Sequence, residues 1–571
     1  MVEYGQMTKE GTMRGLALTA FAAACALCAI EAHAAICVSP SGDDSSGDGT
    51  SARPYASLGR ALLDAREGDT ISMSAGSYTM AYGLYVPANV SIVGAGKKAT
   101  VIDCSAVASS LLELESESPT DSTNQTIRGI GFVGGNSCPT AVSVRNRNGV
   151  TIAGCAMENF AMRAIFASGH SHDRPMAGLT ISRCDLTNCS GMLDGHYIGA
   201  FTGTLLKDLE IAHCSFRETK ASQGWPIKLW WGEGIESEDV GCIYGARIHH
   251  NYILKSLFTT YSITIEGKCL YGVEIDHNTI CGSIDPNSAC SYDNRYVMEA
   301  DKYSFGCWIH DNVIGFADHG RQDAFDTPGW TNPGSMYGTI IEMGARDVIV
   351  ERNIFRNCGV ASMFLRRTGG YEQVHNIVFR YNLGYNLQSP SGCPFFLQCS
   401  DTDPSGIDVE GISIHNNIFS ASAENQPGAV INMNRDGWIS SLSNVYIYNN
   451  ILLNAYSQGV FFEKNIARGS NINVYNNIMY NTGGTVGIGP TARISLDVNS
   501  ANVTTDPHLG DPPNLYITDA STNAIGTGAS VPAGCRDLRG TSVPRGPLPN
   551  IGCYEKLYGQ PFDTSFYVIM M

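Results

Sequence analysis

RIHHN (Arg247–Asn251), EIDHN (Glu274–Asn278) and WIHDN (Trp308–Asn312) repeat one phrase: an apolar residue, two variable residues, then Asn. Between Gly149 and Thr482 the phrase occurs eleven times, the other copies being TIAGC, TISRC, EIAHC, IVERN, VFRYN, SIHNN, YIYNN and NVYNN. The copies end on Cys155, Cys184, Cys214, Asn251, Asn278, Asn312, Asn353, Asn382, Asn417, Asn450 and Asn477, spaced 27 to 41 residues apart. Each phrase is too short and too rich in β-branched and aromatic residues for a helix. Most are followed by a second apolar run of alternating character, such as SITIEG, GTIIEMG, SMFLRR, PFFLQ, AVINMN and GVFFE. Two or three short strands in roughly 30 residues, with Gly and Asn at the corners, predict one coil of a solenoid. Stacked coils lie about 4.8 Å apart, so equivalent residues form columns. The recurrent Asn is then an internal hydrogen-bonded ladder, with the small Cys thiol in its place in the first three copies.

These repeats resemble the right-handed parallel β-helix of the pectin-lyase-like superfamily, over nearly the whole chain after the first 35 residues. The resemblance implies an all-β solenoid of about 12–13 coils. The stretch from Cys37 to Tyr78 looks like the entry module of such proteins, with Pro54–Arg66 as a short amphipathic helical cap over the open end. TDPHLGDPPNLYITDASTNAIGTGA and NIGCYE look like their closing segment, which would protect the last coil from edge pairing. The expected organisation is a signal peptide over 1–35, the capped β-helix over 36–500 and the closing segment over 501–571.

Lys9 and Arg14, an apolar run from Leu16 to Ile30, and Ala32-His33-Ala34 read as a secretory signal with a small-residue cleavage site, not a membrane span. Secretion makes disulfides available to some of the 19 cysteines; Cys281 with Cys290, Cys393 with Cys399, and Cys535 with Cys553 are close pairs suited to clipping loops. A formal charge of −17 argues against nucleic acid as a partner, though not against an acidic polysaccharide held by a local basic patch. A monomer is expected.

Alternation in the second strand of each coil places Ile227 and Leu229, Ile263 and Ile265, Met363 and Leu365, and Phe395 and Leu397 inward. The next outward position then reads Trp230, Glu266, Glu299, Glu342, Arg366, Gln398, Asn434 and Glu463, beside a parallel column of Lys228, Thr264 and Val297. Glu266, Glu299 and Glu342 on adjacent coils would crowd three carboxylates, a set suited to Ca²⁺ with its irregular oxygen coordination. The same three read equally as solvated glutamates with Arg366 as salt-bridge partner. Two long gaps border this face. FADHGRQDAFDTPGWTNPGSMYG carries Asp318, His319, Arg321, Asp323 and Asp326, and QGWPIKLWWGEG carries Trp225, Trp230 and Trp231, flat surfaces on which sugar rings stack.

The reaction natural to such a face is β-elimination of a uronic-acid polysaccharide: the carboxylate is neutralised, a base takes the C5 proton, and an acid protonates the leaving oxygen. Resemblance to β-helix lyases of the alginate and chondroitin type implies Ca²⁺, a lysine base and an arginine acid. NIFRNCGVASMFLRRTGG is similar to the arginine-bearing coil, giving Arg366 or Arg367 that role. Where those lyases carry the lysine, this chain reads IIEMGARD, so either Lys302, Lys228 or His319 supplies the base from another coil or the chain is not a lyase of that type. Two acids among Asp318, Asp323, Asp326, Glu299 and Glu342 would instead serve a glycosidase. Asp506-Pro507-His508 lacks the second Asp of an epimerase motif. His213, His250 and His277 share one repeat position and form either a stacked column or transition-metal ligands. A non-catalytic glycan-binding or adhesin solenoid is the remaining alternative.

Overall fold

A computed structural model describes residues 35–557 except 118–123, 172–173, 190–191, 194–195, 198–199, 218–225, 230–241, 255–260, 267–268, 282, 288–305, 316–336, 343–345, 366–372, 389–392, 400–405, 425, 435–436 and 513–514. Three long parallel sheets wind around one core as a β-helix. We number them I, II and III in the order in which each coil visits them. Sheet I has 16 strands among the described residues, and sheets II and III have 14 each. The stack is therefore slightly longer than the 12–13 coils expected, because coils form well before the first recognisable phrase.

The phrases are the strands of sheet I. Their apolar residues stack in register from Ile127 and Ile152 through Ile248, Ile275 and Ile309 to Ile447 and Val474, all fully buried. The ladder is present at every Asn of the phrase. Asn278 Oδ1 accepts from the main-chain N–H of Asn251 at 2.9 Å and from its side-chain amide at 3.0 Å, and the pattern repeats coil by coil to Asn502. In the first three copies Cys155, Cys184 and Cys214 fill the same buried column as free thiols.

Entry is by strand Ala35–Val38 and a helix over Leu58–Asp64, shorter at both ends than the expected Pro54–Arg66. Ser57 caps it, its Oγ accepting from Arg60 N at 3.1 Å, and Leu58, Ala61 and Leu62 are buried in the core. No helix among the described residues is long and apolar enough to cross a membrane.

The C-terminal segment departs from expectation. Ala492, Ile494 and Leu496, ahead of it, pack against the core at the last coil. Residues 503–557 run along the flank instead of only closing the end. Leu383, Ile418, Ile451 and Ile478 line up on sheet II and form a second core with Leu515, Ile517, Ala524, Leu538, Ile551 and Tyr554. Asn416, Asn449 and Asn476 donate to the carbonyls of Asn550, Ala529 and Thr527, fastening the segment to three successive coils. An apolar outer face on sheet II requires such a cover. Cys535 and Cys553, paired in the sequence reading, are both free, as is Cys393. Cys290 and the side chains of Cys281 and Cys399 lie outside the described residues.

Candidate functional site

Connections between strands show where chemistry can be mounted. From Arg128 to Ile478, sheet I hands over to sheet II in two residues every time, a left-handed residue and the ladder residue, as His250 and Asn251 between His249 and Tyr252. Both edges of sheet III, by contrast, carry connections of varied length, including Arg217 to Ile227, Leu229 to Arg247, Asn287 to Cys307 and Gly315 to Tyr337. Every long insertion of the later coils therefore enters or leaves sheet III.

On that sheet the register corrects the predicted columns. Lys228 pairs with Thr264 as expected, but the next position is Asp285, not Val297. Glu266 pairs with Asn287, so Asn287 occupies the place assigned to Glu299. Ile284 pairs with Thr339, which carries Asn287 to the level of Glu342. Glu342 then pairs with Phe364, leaving Arg366 two residues further along. Downstream, Leu397, Met433 and Phe462 align, which brings Gln398, Asn434 and Glu463 into one column as predicted.

Lys228 is only 3% exposed, enclosed rather than facing an open groove. It also lies four strands from the Gly359–Leu365 strand that precedes Arg366. At about 4.8 Å per coil the two strands are roughly 19 Å apart. Glu266 and Glu342 lie on described strands, although their side chains are not described. Trp225, Trp230, Trp231, Glu299, Lys302, Asp318, His319, Arg321, Asp323, Asp326, Arg366 and Arg367 lie outside the described residues.

A second array of ionisable groups runs along the corner between sheets I and II. Each coil contributes the last residue of its sheet I strand and the left-handed residue after it: His249 and His250, Asp276 and His277, His310 and Asp311, Glu351 and Arg352. The second of each pair has φ between 53° and 55°. A non-glycine residue there costs about 1–2 kcal/mol, a conformation the adjoining ladder bonds hold in place.

Most of this array is saturated. Arg247 donates to both oxygens of buried Asp276, each at 2.9 Å, and His277 Nδ1 lies 2.7 Å from Oδ2. Burial alone would raise the Asp276 pKa, but these hydrogen bonds outweigh it and hold the carboxyl below its usual range. His310 is gripped by Glu274 at 2.9 Å and Asp311 at 2.7 Å. Arg352 pairs with Asp311 at 2.9 Å and with Glu351, which Arg380 and the indole N–H of Trp308 also hold. At Asp311 too, hydrogen bonds from His310 and Arg352 overcome burial and lower the pKa. Carboxylates so fixed in the ionised state are poor general acids, so this rail is a structural feature.

Its upstream end differs. The stacked histidine column is observed: His250 lies 4.9 Å from His277 with planes 1° apart, and 5.0 Å from His213. His249, absent from the predicted column, joins it from the neighbouring position, its Nδ1 2.9 Å from His250 Nδ1. Burial, then its three histidine neighbours, lower the His250 pKa.

Residues 40–191 match a family model described as protein of unknown function, DUF1565. No curated relative matches the sequence. Among solved structures, the chain is similar to the A-module of the Azotobacter vinelandii mannuronan C-5 epimerase AlgE4, at 12% identity and a TM-score of 0.38 over 78% of this chain and 93% of that one. It is similar to the tailspike protein of E. coli bacteriophage HK620, at 12% identity and a TM-score of 0.42 over 74% and 71% of the two chains. It is also similar to the catalytic domain of a GH87 α-1,3-glucanase in complex with tetrasaccharides, at 13% identity and a TM-score of 0.38 over 83% and 68%.

Proposed function

We propose that this protein is a secreted carbohydrate-active enzyme that seats an extended, uronic-acid-containing polysaccharide along sheet III and cleaves it by β-elimination. One observation carries the reading: the insertions of the later coils are confined to the two edges of sheet III, while the corner between sheets I and II keeps its two-residue length. A scaffold with one periodic, loop-flanked face suits a polymer with a periodic repeat.

Chain order along the coils supports one division of roles. Arg366 follows the strand Gly359–Leu365, and the connection bearing His319 enters the adjacent strand Tyr337–Glu342. Lys302 belongs to the connection leaving Ser283–Asn287, one coil further away, and Lys228 is farther still. We take His319, on the long connection that enters the neighbouring strand, as the base for the C5 proton, and Arg366 as the donor to the leaving oxygen. Glu266 and Glu342, with the Asn287 position between them in register, supply hard oxygen donors of the kind that hold Ca²⁺. Bound there, the ion would neutralise a uronate carboxylate.

Alginate, pectate and chondroitin, each with calcium or with chelator, form the test panel, read by ultraviolet absorbance of the unsaturated product. A calcium-dependent signal on one polymer, lost in Arg366→Ala and His319→Ala, is the expected result. Reducing ends released without that absorbance would overturn elimination in favour of hydrolysis.

A further inference from the structure

At the upstream end of the corner rail three imidazoles converge. The ring nitrogens of His213, His249 and His250 lie within 4.8 Å of one another. Glu210, on the adjacent strand two residues before Ala212, the register partner of His249, faces His249 Nε2 at 3.1 Å. A carboxylate only accepts, so Nε2 carries the hydrogen and the neutral ring directs a lone pair from Nδ1. That Nδ1 accepts from His250 Nδ1 at 2.9 Å, a hydrogen that His250 would carry on Nε2 once its Nδ1 bound a metal. His250 is braced from behind by its parallel stack on His277, which Asp276 anchors at 2.7 Å.

We propose that His213, His249 and His250 form a binding site for a divalent transition metal, with zinc as the reference ion and Glu210 as the outer carboxylate that orients His249. Three neutral imidazoles are the donor set that first-row ions of this class prefer, and hard cations such as Ca²⁺ do not. At metal–nitrogen lengths of about 2.0–2.1 Å, tetrahedral ligand atoms lie roughly 3.3 Å apart. His249 and His250 are already near that spacing, and exposed His213 needs only a rotamer adjustment to reach it. A carboxylate behind a ligating imidazole is the usual second partner of such sites. The fourth position faces solvent on the exposed side of His213 and His250, leaving room for water or an external ligand.

Glu274, Asp276 and His310 form a second group of the same compactness. It carries no such site, because Arg247 takes both oxygens of Asp276 and carboxylates take both nitrogens of His310. The histidine site is independent of the reading of sheet III and lies on a different corner of the coil.

The fold itself supplies variants that spare the structure. The column holding His213 and His250 carries Asn416, Asn449 and Asn476 in later coils, with the same left-handed backbone. His213→Asn and His250→Asn are therefore compatible with folding and remove a good ligand. Tag-free full-length protein would be titrated with zinc chloride by calorimetry, and with Co²⁺ by visible absorption. The expected result is one ion per chain, intense tetrahedral Co²⁺ bands, loss of both in His213→Asn and His250→Asn with unchanged circular dichroism, and a 10- to 100-fold weaker Kd in Glu210→Gln. Absence of stoichiometric binding, or binding that survives both asparagine variants, would overturn the proposal.

Discussion

Replacing Asn353 with alanine tests whether the ladder, and not only the apolar core, holds the coils together. Asn353 is fully buried. Its Oδ1 accepts from the main-chain N–H of Asn312 at 3.0 Å and from its side-chain amide at 2.9 Å. Its Nδ2 donates to Ile309 O, Glu351 O and Asn382 Oδ1 at 2.9 to 3.2 Å. Alanine leaves the main-chain N–H of Asn312 facing a dry space and takes a donor from the Ile309 and Glu351 carbonyls, while the Asn312 amide keeps Ile275 O and His310 O. The orphaned N–H costs about 1–3 kcal/mol and the two lost hydrogen bonds about 0.5–1.5 kcal/mol each, about 2–6 kcal/mol together, so a value near 4 kcal/mol is expected. Asn502, half-exposed at the end of the ladder, makes comparable bonds to Asn477, but water can replace them. Its alanine variant should lose less than about 1.5 kcal/mol. Guanidinium denaturation gives the totals. Amide hydrogen exchange localises the loss, since long repeat arrays need not unfold in one step. Equal losses at the two sites, or a loss below about 1 kcal/mol at Asn353, would refute a buried amide ladder as a stability element.

Burial pushes the His415 pKa down to about 4, below the unfolded value near 6.5. The stability it contributes is thus present above pH 6.5 and lost as the pH falls toward 4, about 3 kcal/mol in all. His415→Phe, which can keep the stack on Tyr448, should flatten the acid limb of a denaturation-midpoint profile; an unchanged limb would mean another group titrates. Glu351→Ala takes a buried carboxylate from Arg380 and from the indole N–H of Trp308, leaves Arg352 with Asp311, and should cost about 3 kcal/mol by thermal or chemical unfolding, more than a surface pair. Ending the chain after Asn502 uncovers Leu383, Ile418, Ile451 and Ile478, and should produce dye-binding, light-scattering material; a clear, monodisperse product would contradict the flank packing.

The fold was legible because the ladder repeats a residue that a core accepts only at a fixed, hydrogen-bonded place. The register of sheet III was not. The strand Ser283–Asn287 reads SIDPN, and Pro286 disguises it as a turn, so the column was sought at Val297 and Glu299 instead. In Gly359–Leu365 the apolar alternation runs through Ala361, Met363 and Leu365, one residue more than the column needs, and Met363 falls in register with Ile341 and so at the position of Ile265, not at that of Ile263 as supposed. Of the corner rail only the column of His213, His250 and His277 was read, for a different reason. Its members are the two variable residues of the phrase, HH, DH, HD and ER, which look like filler between apolar residue and Asn. Charge and imidazole concentrated at positions that face outward in every coil was the available signal.

The flank segment also sets an order of assembly. Each coil touches chiefly the coil before and after it, so winding can advance from the N-terminus as chain becomes available, every new turn templated by the last. Coils from Ile354 onward cannot finish this way, because the side of sheet II they present is completed by residues 503–557, synthesised after all of them. The later half of the solenoid must therefore wait with an oily stripe open to other molecules. The tail that covers it acts as a latch, and the interval before it closes is the part of the protein's life in which a chaperone or a fast release of nascent chain matters most.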